Sequence, residues 1–287
     1  MKIIRSLNFL FLFFFLVFSQ TSFSQNKDTL KIRNQVKSYF PKLADNTFLQ
    51  AKAPFSLQKK EWLFVGGIAA ATYGLTFLDP IIDKSLKDFG NTPVKKQASK
   101  HISELGKLYG LGGLALFCGI NLIANNHKGV QTSVLASQSV FTSLIWVSVL
   151  KFGTGRERPF YVHQQNETIS KWYGPKKIGQ KMFGKYVYDS FPSGHTAIAF
   201  SLATTFAHQY PQIKWVAPVS YSLACLVGIS RITENKHWAT DVIVSSLIGY
   251  FCSRQVYLNR NKKTAALHSK RKKSTITFSF SISPYFA

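Results

Sequence analysis

Acidic side chains are scarce in this sequence. Its 287 residues include 12 Asp and Glu against 36 Lys and Arg, a formal net charge of +24. So few carboxylates leave no cluster from which to build a metal cage. The acid that does fall in a polar cluster, Asp241, stands one helical turn from a histidine. The same imbalance calls for an anionic partner: nucleic acid, acidic lipid headgroups or a phosphorylated substrate. Cysteine is nearly missing as well. Cys118, Cys225 and Cys252 each sit inside an apolar stretch without metal-ligand spacing, and an odd number cannot complete an intramolecular disulfide set. They read as buried thiols acting as small hydrophobes. Zinc-finger spacing, helicase motifs and a P-loop are lacking, which speaks against a nucleic-acid partner. Alternating strand patterns are lacking between the apolar segments, so the fold class is all-α.

What is present is a set of long charge-free segments separated by Lys-rich connectors, the pattern of a membrane-associated protein. The N-terminus, "MKIIRSLNFLFLFFFLVFSQTSFSQ", has a basic start, a short apolar core and small residues near its end. This is the three-part pattern of a secretory signal peptide over residues 1–24, cut near Ser24–Gln25. A basic arm follows over 25–61. Six apolar segments come next, at 62–78, 108–124, 130–150, 195–209, 215–230 and 242–258. Their lengths straddle the ~20 residues a helix needs to cross a bilayer. Gly-rich runs such as "VGGIAAATYG" and "LGGLALFCG" suit close helix packing. The expected architecture is therefore a six-helix bundle over 62–258, membrane-embedded or membrane-associated. A flexible basic tail over 259–287 ends in "STITFSFSISPYFA", whose period-two pattern fits a short strand, a strand that meets a partner, or an end without structure.

Three polar clusters lie at the ends of apolar segments. The first is Lys151, six residues, then Arg158-Pro159. The second is Pro192-Ser193-Gly194-His195. The third is Ser230-Arg231, five residues, His237, three residues, Asp241. If consecutive helices pack antiparallel, all three fall at one end of the bundle. Lys151, Arg158 and Arg231 then supply charge and a fork of donors suited to phosphate oxygens. Ser193 and the amides around Gly194 form an anion site at a helix N-terminus. Asp241, four residues from His237, can hold one ring nitrogen and leave the other nucleophilic, and His195 can protonate a departing oxygen. Taken singly, each has a bland reading: cations snorkelling at a membrane edge, a surface ion pair, an ordinary helix cap. Jointly they require eleven residue identities in order, at spacings of six, five and three.

These eleven positions resemble the three signatures of the type 2 phosphatidic acid phosphatase (PAP2) superfamily, without a departure. The resemblance covers about 130–258, and the first two helices loosely. It implies a metal-independent phosphatase with no cofactor, working through a phosphohistidine. His237 would attack phosphorus, Asp241 would orient it and His195 would protonate the leaving group. Lys151, Arg158, Ser193, Gly194 and Arg231 would hold the phosphoryl oxygens. The implied partners are a membrane and an anionic lipid phosphate such as phosphatidate, a prenyl diphosphate or lipid A, with no nucleic acid; the oligomeric state is not readable. An exported acid phosphatase acting on soluble esters is the alternative. A vanadate-dependent haloperoxidase and a non-catalytic lipid-binding envelope protein rank lower, the latter because binding alone needs neither histidine. The signal implies a cell-envelope protein with an extracytoplasmic site. Three spans ahead of Lys151 would put the site on the opposite face, so either one segment does not span or the helices do not fully cross. The Lys-rich connector 160–191 reads as a solvated loop beside the phosphate site.

Overall fold

The computed structural model describes residues 29–90, 92–182 and 184–269. The expected signal segment at 1–24 and the strand-like end at 274–287 lie outside the described residues. Ahead of the apolar segments, the arm is helical as α1 (Thr29–Lys37) and α2 (Tyr39–Lys52). The first apolar segment is α3 (Lys59–Thr76), which meets α4 (Asp79–Gly90) at a 57° bend. A second bend, of 41°, joins α5 (Pro93–Glu104) to α6 (Leu108–Ile123). Then come α7 (His127–Thr154), the short α8 (Pro159–Gln164), α9 (Gly194–Gln209), α10 (Val216–Thr233) and α11 (Ala239–Ser269). All six apolar segments are helical, and α11 runs on well past the expected boundary at 258. The connector 160–191 carries an antiparallel pair, β1 (Lys181–Met182) and β2 (Lys185–Tyr186).

α9 occupies the centre, packed against α7, α10 and α11. Most of its buried residues are small, among them Ala197, Ala199, Ser201, Ala203, Thr204 and Thr205. Small side chains let neighbouring backbones approach closely, and the glycines facing them mark how closely. A Cβ on Gly249 of α11 would lie 2.6 Å from the Ala197 carbonyl oxygen, and one on Gly228 of α10 would lie 2.7 Å from Val242 Cγ1. Hydroxyls tie the same seam together. Ser143 Oγ lies 2.8 Å from Ser201 Oγ, and Ser253 Oγ donates to the Ser201 carbonyl at 3.0 Å.

The arm is docked by a buried amide network. Gln50 Nε2 donates to Thr142 Oγ1 and Gln255 Oε1, while Gln50 Oε1 accepts from Trp146 Nε1. Asn46 donates to Gln138 and accepts from Asn259. Outward, the bundle is apolar. Trp62, Leu63, Phe64 and Tyr73 on α3 and Leu116, Ile120 and Ile123 on α6 are exposed, more apolar surface than a protein surrounded by water leaves uncovered. Among the described residues, α7 and α10 are long and apolar enough to cross a membrane, and the two bent pairs bring the number to four if each is one span.

Candidate active site

The end of α7 sets the first side of the site. Its C-cap, Gly155, has φ +52°, and a Cβ there would sit 2.1 Å from the Gly174 carbonyl oxygen, so the turn demands glycine on both counts. Lys151 lies one turn earlier, and its Nζ donates to the Asp189 carbonyl. After the turn, Arg158 forks onto the Asp189 carboxylate at 2.7 and 3.0 Å, and its Nη1 reaches the Lys236 carbonyl oxygen at 3.1 Å. Pro159 then begins α8, where a missing amide hydrogen costs nothing.

Ser193 caps α9, accepting from the Thr196 amide, with Gly194 and His195 as the first two helical residues. A Cβ on Gly194 would meet nothing closer than Leu144 Cδ2 at 3.9 Å. Packing does not demand glycine here, in contrast to Gly155. Burial, and then Arg231, Lys107, Arg158 and Lys151, bring the half-buried His195 ring down to about 3, and an anion bound among these cations would favour its protonated form. The carbonyl of His195 lies where a Cβ on Gly106 would stand, at 2.6 Å, so the bend between α5 and α6 presses against this helix start.

Arg231 closes the third side from the last turn of α10. Its Nη1 donates to Glu234 at 3.2 Å, and its buried Nε has no hydrogen-bond partner in the protein. An unpartnered buried guanidinium donor is costly, and an anion's oxygen would satisfy it. His237 sits in the turn before α11, so it meets Asp241 from there and not along a shared helical face. Its Nδ1 lies 2.6 Å from the Ser190 carbonyl oxygen and within ion-pair distance of Asp241 Oδ2, at 3.6 Å. A carbonyl only accepts, so Nδ1 carries the hydrogen and Nε2 keeps its lone pair. Burial holds the ring well below the usual imidazole range; Asp241 opposes that, and Arg158 and Lys151 reinforce it.

Thus the eight residues singled out in the sequence lie around one end of the bundle. Four others join them without having been anticipated. Asp189, directly ahead of the second cluster, faces Arg158 and Lys151; burial works against its charge, but Arg158 and Lys151 bring its carboxyl down to about 2. Lys107 comes from the α5–α6 bend. Arg156 and Asp79 are buried beneath Asp241 at 1% exposure each. Arg156 was legible as a third cation between Lys151 and Arg158. Asp79, 162 residues ahead of Asp241 in the chain, carried no signal at all. Among the described residues, no group of three or more His, Cys, Asp or Glu is arranged to hold a metal ion.

A sequence family described as the PAP2 superfamily matches residues 132–265. A lipid A 1-phosphatase of Porphyromonas gingivalis is 40% identical over 82 residues, 26% of this chain and 18% of that protein. Lipid phosphate phosphatase 1 of Arabidopsis thaliana is 34% identical over 131 residues, 38% of this chain and 40% of that protein. The chain therefore spans well under two thirds of either of these curated relatives. Among solved structures, the transmembrane PAP2-type phosphatidylglycerolphosphate phosphatase of Bacillus subtilis aligns with a TM-score of 0.50 at 19% identity. That alignment covers 70% of this chain and 94% of the other, and the likeness is one of fold.

Proposed function

Residues 132–265 belong to the PAP2 superfamily, and from that premise we propose that the protein is a metal-independent phosphatase acting on a membrane-lipid phosphate through a phosphohistidine. The observation that carries the reading is His237: its Nδ1 hydrogen is committed to Ser190, and its Nε2 is left with a lone pair beside Arg158 and Lys151. In the first step Nε2 forms a bond to phosphorus, the P–O bond to the leaving group breaks, and His195 gives its proton to the departing oxygen. Lys151, Arg158, Arg231 and the Ser193–Gly194 helix start offset the charge on the equatorial oxygens. In the second step water attacks the phosphoryl group, His195 takes its proton, the N–P bond breaks, and inorganic phosphate leaves.

A lipid substrate is supported by the exposed apolar helices around the site and by the lipid phosphates named for the two relatives. Monoester and diphosphate remain equal members of that class. The signal-like N-terminus supports an extracytoplasmic site in the cell envelope, to be tested by reporter fusions in the 160–191 connector. The activity is tested by a panel of lipid monophosphates, lipid diphosphates and water-soluble esters. His237→Ala should abolish turnover on whichever is cleaved and leave no acid-labile phosphoenzyme. Equal turnover of short soluble esters without detergent would transfer the protein to the soluble-ester class, and full activity in His237→Ala would remove the mechanism.

A further inference from the structure

Asp79 reaches the site from outside the family match. The bend after α3 turns the chain so that α4 begins directly under α11. Asp79 Oδ1 accepts from the Thr240 amide at 2.9 Å, satisfying one of the orphan donors of the α11 N-terminus. Its Oδ2 accepts from Thr240 Oγ1 at 2.5 Å and from Arg156 Nη2 at 2.6 Å. Arg156 Nη1 in turn donates to Thr240 Oγ1 and to Asp241 Oδ1, both at 2.7 Å, and its Nε donates to Ser170 Oγ at 2.9 Å. The guanidinium lies between two indole rings, 4.7 Å from that of Trp172 and 5.4 Å from that of Trp238. Asp241, 0% exposed, is completed by Ser190 Oγ at 2.5 Å and the Trp238 amide at 2.9 Å. Ser190 is also the residue whose carbonyl holds His237. The two buried carboxylates, the arginine and the imidazole are thus one connected network with no water-facing member.

We infer that Asp79 is a positioning residue for His237, acting through Arg156 and Thr240 on Asp241. The inference rests on the phosphohistidine reading. When Nε2 bonds to phosphorus and the leaving oxygen takes the proton of His195, the ring keeps its Nδ1 hydrogen and becomes cationic. Asp241 stabilises that charge directly, but Arg156, bonded to it at 2.7 Å, offsets part of its field. Asp79 adds the second carboxylate, so the buried triad carries one net negative charge facing the developing imidazolium. The same contacts fix the Asp241 carboxylate in one orientation, and with it Ser190.

The test is Asp79→Asn, which keeps size and an acceptor oxygen and leaves Arg156 paired with Asp241, so no buried charge is stranded. With a soluble aryl phosphate, kcat should fall about tenfold, the low end of the ~10–100-fold lost when partners behind a metal site's ligands are removed, since Asp79 stands behind Arg156 and Asp241. KM should stay close to wild type. The acid limb of kcat/KM should move to lower pH, because removing a negative charge makes His237 harder to protonate. The other charged groups facing that ring are unchanged in the variant: Asp241 on α11, Lys151 on α7, Arg158 and Asp189 in the loops, Arg231 on α10 and His195 on α9. Asp83→Asn is the control; it sits one turn along α4, pairs with His163 at 2.9 Å, and should keep the wild-type limb. If Asp79→Asn cannot be recovered folded, Thr240→Val removes the hydroxyl that bonds both Asp79 and Arg156 beside their direct ion pair, and should lower kcat with KM kept. Wild-type kcat and pH limb in Asp79→Asn, an equal shift in Asp83→Asn, or unaltered kcat in Thr240→Val would overturn the inference. Turnover surviving His237→Ala would instead overturn the phosphohistidine reading.

Discussion

Glycine at 194 and glycine at 249 do different work, and the difference is measurable. A Cβ on Gly249 would press into the Ala197 carbonyl at 2.6 Å, so Gly249→Ala must move α11 against α9. Its expected cost is in folding, about 1–3 kcal/mol for overpacking, read as a lower thermal midpoint in detergent. A Cβ on Gly194 meets only ordinary contacts. Gly194→Ala should leave that midpoint alone and lower phosphatase activity by about tenfold or more, as a methyl group stands where an oxyanion must approach. His237 makes a prediction about pH. Its ring is held well below the usual imidazole range, so it stays neutral, and nucleophilic, as pH falls through about 6.5. On an aryl phosphate with a good leaving group, kcat/KM corrected for substrate titration should hold down to and below that pH. Loss of activity with an apparent pKa near 6.5 would show that the ring is not held as described. Of the site, the sequence made the eight clustered residues legible because each has a fixed offset within its cluster. It left Asp189 unmarked, since nothing local says that an acid will fork onto Arg158 rather than face water.

At the scale of elements, the arm and the two bends matter most. Gln50 joins α2 to α7 and α11 through three hydrogen bonds to Thr142, Gln255 and Trp146. Replacing it with leucine leaves the half-buried Trp146 N–H and Gln255 amide oxygen without this partner, at the low end of the about 1–3 kcal/mol for each unsatisfied group. Gln255 lies 14 residues beyond Asp241 on α11, about 21 Å at 1.5 Å per residue. Gln50→Leu should therefore lower stability while kcat per folded molecule stays at the wild-type value. An equal loss of kcat would mean that the arm is part of the catalytic unit. The six apolar segments were readable as helices because their length and lack of charge admit little else. The bends were not. Phe77 and Leu78, which carry the 57° turn, look like any apolar pair, and only the anchoring of Asp79 under α11 explains the change of direction.

For the whole molecule, charge and apolar surface act together. A net charge of +24 on a body with exposed aromatic and aliphatic helices suits an anionic bilayer. Turnover of a lipid phosphate should be faster in vesicles containing anionic lipid than in neutral ones, and added salt should reduce that advantage, since exposed charges are screened beyond about 8 Å at physiological ionic strength. Equal rates in both vesicles would assign the charge to another role. Excess EDTA should leave activity intact in either, and a loss reversed by adding back a divalent cation would refute metal-independent turnover.

The sequence by itself determined the helical class, the six apolar segments and the three clusters around Lys151, Ser193 and His237, because helix formation, capping and motif spacing are local properties of the chain. Which atom holds His237 was settled only by the tertiary structure. The offset of four to Asp241 pointed to the carboxylate, but His237 lies ahead of the helix, and the loop that brings Ser190 alongside supplies the nearer acceptor. The burial of Arg156 between Trp172 and Trp238, and its pairing with an aspartate from the first bend, were likewise decided in three dimensions. A buried charge chooses its partners by proximity after the helices pack, and no offset along the chain records that choice.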